Sequence, residues 1–223
     1  MAAECCNLDN QGRDLALARV LHLGAHRFWQ EYGNTQEAEH LYKTALMVLD
    51  HVQDDHPELA ETLIRLKLDM GSLYYEGMGK LKEAEALTRE GLGMAEQSLG
   101  QDHFITAYAA NNLGDICTLQ GRFAEAEEHY RRALAILEKN PGPQPQVLNV
   151  VLAAYAAMLR LAGREQDANA VQARIPGSAP NTAMPESVGA QEGTPGGGEA
   201  PAIEPAADAA PTNPAHYQST KNT

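Results

Sequence analysis

The sequence predicts an all-α solenoid of about four helix–turn–helix repeats, and three observations carry that expectation. A short string returns along the chain, as Gly33, Glu37-Ala38-Glu39, Tyr42 and Ala45-Leu46, then as Gly79, Glu83-Ala84-Glu85, Thr88 and Gly91-Leu92. It returns again as Gly121, Glu125-Ala126-Glu127, Tyr130 and Ala133-Leu134, with a weaker copy at Gly163 and Asp167-Ala168-Asn169. The four glycines are 46, 42 and 42 residues apart. A period of this size marks supersecondary units that bury a continuous core only by stacking. Apolar residues between the glycines recur at the helical spacing i, i+3, i+4, i+7. Finally, the composition shifts near residue 176 to Gly, Pro, Ala, Ser, Thr and Glu.

The expected organisation follows in order. Residues 1–11 read as a short disordered start, 12–175 as the repeat domain and 176–223 as a disordered tail. The tail has too few large apolar residues to offset the entropy of ordering. Each repeat has an A helix ending near its glycine and a B helix starting just after it. In the third repeat, helix A is expected over about 105–119, with Ala109, Ala110, Leu113, Ile116 and Cys117 on one face. Helix B is expected over about 123–139, with Ala126, Tyr130, Ala133, Leu134 and Leu137 inward. Gly121 ends helix A in the left-handed conformation. Small residues at Gly114, Ala126 and Ala133 let two helices cross at about 8–10 Å. The second repeat has eight steps from Gly71 to Gly79 against seven from Gly114 to Gly121, which implies a bulged turn. The links around His56 and His103 carry capping residues, and 140–145 is proline-rich.

Bulk properties exclude several classes of function. A net charge of −13 and a pI near 5.0 repel nucleic acid and anionic lipid. No run approaches the ~18 apolar residues of a membrane span, and the start lacks the pattern of a secretory signal. A cytoplasmic protein is expected. Three cysteines make no disulfide framework; Cys117 reads as a core residue, and the pair Cys5-Cys6 as an inert terminus or a lipidation or redox site.

The pattern Gly121, Ala126, Tyr130, Ala133, preceded by Leu113-Gly114, resembles the tetratricopeptide repeat. The 42-residue period, the string Glu-Ala-Glu-x-x-Tyr-x-x-Ala-Leu and the stretch Leu99 to His103 resemble the longer variant of kinesin light chains. The resemblance covers about residues 17–175 and implies a right-handed solenoid whose A helices line a concave groove. In the first repeat His26 stands where that family prefers a small residue, which implies a shifted register.

Carried onto the third repeat, the resemblance implies groove positions at Tyr108, Asn111, Asp115 and Thr118, with Asn111 able to bridge a main-chain N–H and C=O. In the fourth repeat the matching positions are Val150, Ala153, Ala157 and Arg160. Asn111 and Tyr108 are expected on one exposed stripe, with Arg160 supplying a cation beside them. The A helix 147–159 is apolar nearly all round, so Val150, Ala153 and Ala157 form a candidate end surface unless the tail or the short last helix covers it. His22 and His26 are spaced as two metal ligands, but no third ligand lies at companion spacing, so no metal is expected. The sequence holds no nucleophile elbow, phosphate loop or dinucleotide fingerprint. Glu37, Glu39, Glu83, Glu85, Glu125 and Glu127 read as solvated helix starts that complement the helix dipole. The expected function is a cofactor-free, non-enzymatic scaffold that holds a partner's peptide or helix in the groove. The alternative is an assembly factor or chaperone-like subunit acting by self-association or through its apolar last repeat.

Overall fold

The computed structural model describes residues 2–50, 52, 58–143 and 146–176, with side chains from Gly12 onward. Among these residues there are eight α-helices, one π-helical turn and no strand. The helices are α1 (Ala2–Tyr32), α2 (Thr35–Leu49), α3 (Leu59–Ser72), α4 (Leu81–Ser98), α5 (Phe104–Leu119), α6 (Phe123–Lys139), α7 (Val147–Leu161) and α8 (Glu165–Gln172). Odd-numbered helices are the A helices and even-numbered ones the B helices. Each A helix packs on its own B helix, and each B helix on the next A helix.

Two boundaries depart from expectation. Helix α1 begins at Ala2, so it takes in most of the stretch expected to be disordered; Ala2-Ala3-Glu4 are strong helix formers and no proline interrupts them. The tail from 177 on and His56 lie outside the described residues. In the links that are described, His103 caps α5, its Nδ1 accepting from the Ile105 amide at 3.3 Å.

The repeated string has a local cause at each position. Gly33, Gly79, Gly121 and Gly163 end the A helices at φ of +64°, +65°, +75° and +75°, where a Cβ would be strained. The alanine three residues into each B helix is fully buried in all four repeats, as Ala38, Ala84, Ala126 and Ala168. The side chain four positions further along the B helix faces a small residue of the A helix. A Cβ added at Gly114 would lie 2.8–2.9 Å from the Tyr130 ring, and one at Gly71 would lie 2.6 Å from Thr88 Oγ1.

The extra residue of the second repeat is absorbed as the π-helical turn Leu73–Gly77. Its closing bond runs from Lys80 N to Tyr74 O, six residues back, whereas the third and fourth repeats close five back, from Arg122 to Cys117 and Arg164 to Leu159. The first repeat also closes six back, from Asn34 to Phe28. That one-residue lengthening puts Ala25, fully buried, in the small-residue position and moves His26 off it.

The core runs along the array as three clusters. One joins the first two repeats around Tyr42, Leu66, Leu73 and Ala84. A smaller one joins α3, α4 and α5 through Ile64, Leu68, Leu92, Ile105 and Leu113. The third holds α5 to α8 around Tyr130, Leu134, Leu152, Tyr155 and Leu159.

Candidate functional site

The inner sides of the A helices enclose a groove with a cavity of about 430 Å³. Its lining comes from all four A helices and from the proline link at Pro141 and Pro143. Measured from the small residue of each repeat (Ala25, Gly71, Gly114, Ala156), the residues six positions earlier all line it: Arg19, Arg65, Tyr108 and Val150. Three positions before the small residue, His22, Leu68 and Asn111 line it as well.

The polar lining is tied down. His22 Nε2 meets Asp69 Oδ2 at 2.6 Å, and the Tyr108 hydroxyl donates to Asp69 Oδ1 at 3.3 Å. Arg65 pairs with Glu61 at 2.8 Å and lies over the Phe104 ring, 5.6 Å from its centroid. Arg19 pairs with Glu58 at 2.6 Å. Leu68, Ile105, Val150 and Val151 make the apolar floor and far wall. Trp29, the only tryptophan of the chain, also lines the cavity.

The expected site residues divide. Tyr108, Asn111 and Val150 line the cavity, while Asp115, Thr118, Ala153, Ala157 and Arg160 do not. Asn111 is only 3% exposed, so it belongs to no exposed stripe with Tyr108. Its Nδ2 donates to Asp115 Oδ2 at 3.0 Å, and its Oδ1 is buried with no hydrogen-bond partner. That bond uses one of the two amide N–H donors. Asp115 also accepts from Tyr130 at 2.7 Å and Tyr75 at 3.4 Å. Burial pushes its carboxyl up to about 7 against those hydrogen bonds. Asp115 therefore joins the second and third repeats behind the groove. Thr118 donates to the Gly114 carbonyl at 2.7 Å, a bond within its own helix. Arg160 pairs with Glu165 at 3.4 Å, away from the cavity, because it lies four residues after Ala156, past the groove positions.

Of the expected end surface, Val150 and Ala153 are half-buried and Ala157 is exposed. Val151, Leu152, Tyr155, Ala156, Met158 and Leu159 of α7 are buried, since α5, α6 and α8 cover them. Of eight large exposed apolar residues described, five (Leu17, Val20, Leu23, Phe28, Tyr32) lie on α1. Among the described residues no His, Cys, Asp and Glu side chains gather as three or more around a common metal position.

The glutamates correct another expectation. Glu39, Glu85 and Glu127 are not solvated helix starts; their side chains are 15%, 19% and 14% exposed. Each accepts from the cation that follows the next repeat's glycine: Lys80 at 3.4 Å, Arg122 at 3.0 Å and Arg164 at 2.5 Å. Tyr74, Gln120 and Tyr155 supply a second donor to each in turn. Glu37, Glu83 and Glu125 stay exposed. The ladder has Asn34 in place of the cation before the first repeat's B helix, and Asn169 in place of the glutamate in the last.

Comparison with known proteins agrees with the fold. Residues 65–139 match the tetratricopeptide repeat family model. The crystal structure of BtubC (BKLC) from P. vanneervenii is similar, with a TM-score of 0.60 at 22% identity over 79% of this chain and 71% of that one. A Podosopora anserina protein described as a kinesin light chain with nearly identical TPR-like repeats gives 0.58 at 20% identity over 73% and 74%. No curated protein matches the chain. The shared feature is the fold, the solenoid of stacked helix pairs that the period implied.

Proposed function

We propose that this chain is a non-enzymatic interaction module that holds a polypeptide segment of a partner in the groove of its A helices. The tetratricopeptide fold is a general protein–protein interaction scaffold, and a scaffold by itself does not choose the partner. One observation carries the reading: the cavity of about 430 Å³ is open to a ligand, draws its lining from every repeat and is mostly apolar with a few fixed polar groups. Among the described residues no helix is long and apolar enough to cross a membrane. A cytoplasmic setting fits an acidic chain with three cysteines.

The test needs a partner in hand. Proteins captured by the full chain are purified and titrated against wild type, Val150→Glu and Leu161→Glu. Val150 lies half-buried in the groove, whereas Leu161 is 68% exposed outside it. A carboxylate placed against an apolar ligand surface should weaken binding at least tenfold. Leu161→Glu should leave it unchanged. Equal affinity for all three proteins overturns the groove reading. If sedimentation then shows a concentration-dependent oligomer, self-association replaces it.

A further inference from the structure

We propose that the groove has an occupant within the same chain: the segment 199–208, Glu-Ala-Pro-Ala-Ile203-Glu204-Pro-Ala-Ala-Asp208, which competes with the partner. The proposal rests on the groove reading above and adds its regulation.

Three observations meet here. The first is chemistry at the lip. The chain carries 30 acidic against 17 Lys and Arg residues, yet the cavity lining holds Arg19, Arg65, His22 and His26 against the single carboxylate Asp69. Arg19 and Arg65 are paired with Glu58 and Glu61, whose side chains are 54% and 46% exposed. Such exposed pairs contribute little, so either guanidinium can trade its partner for another carboxylate at small cost.

The second is the composition of residues 177–223. They contain five acids, one lysine and no arginine. Their large apolar residues are Met184, Val188, Ile203 and Tyr217. Only Ile203 has a carboxylate as its immediate neighbour and prolines two residues away on either side, at Pro201 and Pro205. Proline fixes its own φ and biases the preceding residue toward extended backbone, which lowers the entropy lost when such a segment lies along a groove. Ile203 matches the apolar floor of Leu68, Ile105, Val150 and Val151; Glu204 and Asp208 match the arginines.

The third is reach. The described chain ends at Pro176, just after α8, in the repeat whose A helix lines one wall of the cavity. Ile203 lies 27 residues further on, and a flexible linker of that length has a root-mean-square span of about 30 Å, comparable with the size of a small domain. Tethering at that length gives an effective concentration near the millimolar range. A segment of only millimolar intrinsic affinity then fills the groove about half the time, and a partner sees its affinity reduced by the fraction of groove left open.

Trp29, being the only tryptophan and part of the cavity lining, reports occupancy directly. The full chain is compared with the full-length triple variant Ile203→Ser, Glu204→Gln, Asp208→Asn. Acrylamide quenching of Trp29 should rise about twofold in the variant, and wild type should show the same rise between about 0.05 and 0.5 M salt, where charge pairing is screened. A synthetic peptide of residues 196–211 should bind the variant with a dissociation constant on the order of 1 mM and wild type about twofold more weakly, because the tether competes. Identical quenching in both chains, or equal peptide affinity, overturns the proposal. Shielding of Trp29 that disappears on dilution also overturns it, since the occupant is then a second copy's tail. Failure here, with Val150→Glu still blocking the partner, leaves the groove reading standing; loss of both returns the question to self-association.

Discussion

At the scale of single residues, the packing of this array is decided by where a side chain is missing. Gly114 sits against the face of the Tyr130 ring, which is 1% exposed and anchored by its hydroxyl to Asp115. A methyl group there would meet three ring atoms within 2.9 Å, and the ring has no room to withdraw. Gly114→Ala should therefore destabilise the protein by about 1–3 kcal/mol. Gly93 is the contrasting case: it lies inside α4 with nothing within 4 Å of an added Cβ and no positive φ. Gly93→Ala should stabilise by about 0.5–1 kcal/mol through helix propensity and a less flexible unfolded chain. Urea melts of the two variants check the pair; equal effects would sink the close-approach assignment. The small residues of the third repeat were legible in the sequence because glycine and alanine recur at fixed offsets from the turn glycine. Asn111 was legible as a groove position but not as a buried one. Nothing in its residue type says that its Nδ2 is already held by Asp115 four residues on, with Asp115 held in turn by tyrosines from two other elements.

At the scale of elements, what the sequence left ambiguous was register. Aligning repeats on the turn glycine misplaces every groove residue of the first two repeats by one, because their turns carry an extra residue, absorbed in the second as a π-helical turn. Aligning on the small residue instead brings Arg19, Arg65, Tyr108 and Val150 into one row, and that signal was present in Ala25, Gly71, Gly114 and Ala156. The ladder of glutamates shows the same limit. Its periodicity was visible, but a helix-start carboxylate looks alike whether it faces water or the next repeat. The middle rung is the best built. Burial alone would raise the Glu85 carboxyl, yet hydrogen bonds from Gln120, Arg89 and Arg122 outweigh it and hold the pKa near 2. A carboxyl depressed from 4.5 in the folded state stabilises above that unfolded value, and the contribution is lost as pH falls toward 2. Glu85→Gln should cost about 1–2 kcal/mol at pH 7, and the difference from wild type should shrink to near zero by about pH 2. Urea titrations at three pH values test this. A constant difference would mean that Glu85 acts by packing, not by charge.

At the scale of the whole molecule, stability is a chain of neighbour contacts, and the boundary between the second and third repeats is readable from the core. The cluster that joins α3 and α4 to α5 is smaller than the clusters on either side, and Ile64, fully buried, lies within it beside Leu113. Hydrogen bonds from Tyr75 to Asp115 and from Asn112 to Ser72, with the Arg122–Glu85 rung, reinforce that boundary. Truncating a buried isoleucine costs about 2–5 kcal/mol of transfer and cavity energy. In a globular core that loss would be shared by the whole domain. In a stacked array it falls mainly on one interface, so the halves on either side become free to melt separately. Ile64→Ala should therefore do more than lower the urea midpoint. Trp29, in α1, reports the first half, whereas helical circular dichroism reports all eight helices. In wild type the two transitions should coincide; in Ile64→Ala they should separate, and the apparent m-value should fall. Coincident transitions with an unchanged m-value would show that the polar bridges alone keep the four repeats one cooperative unit. The groove, which takes its lining from all four, would then keep its shape under load.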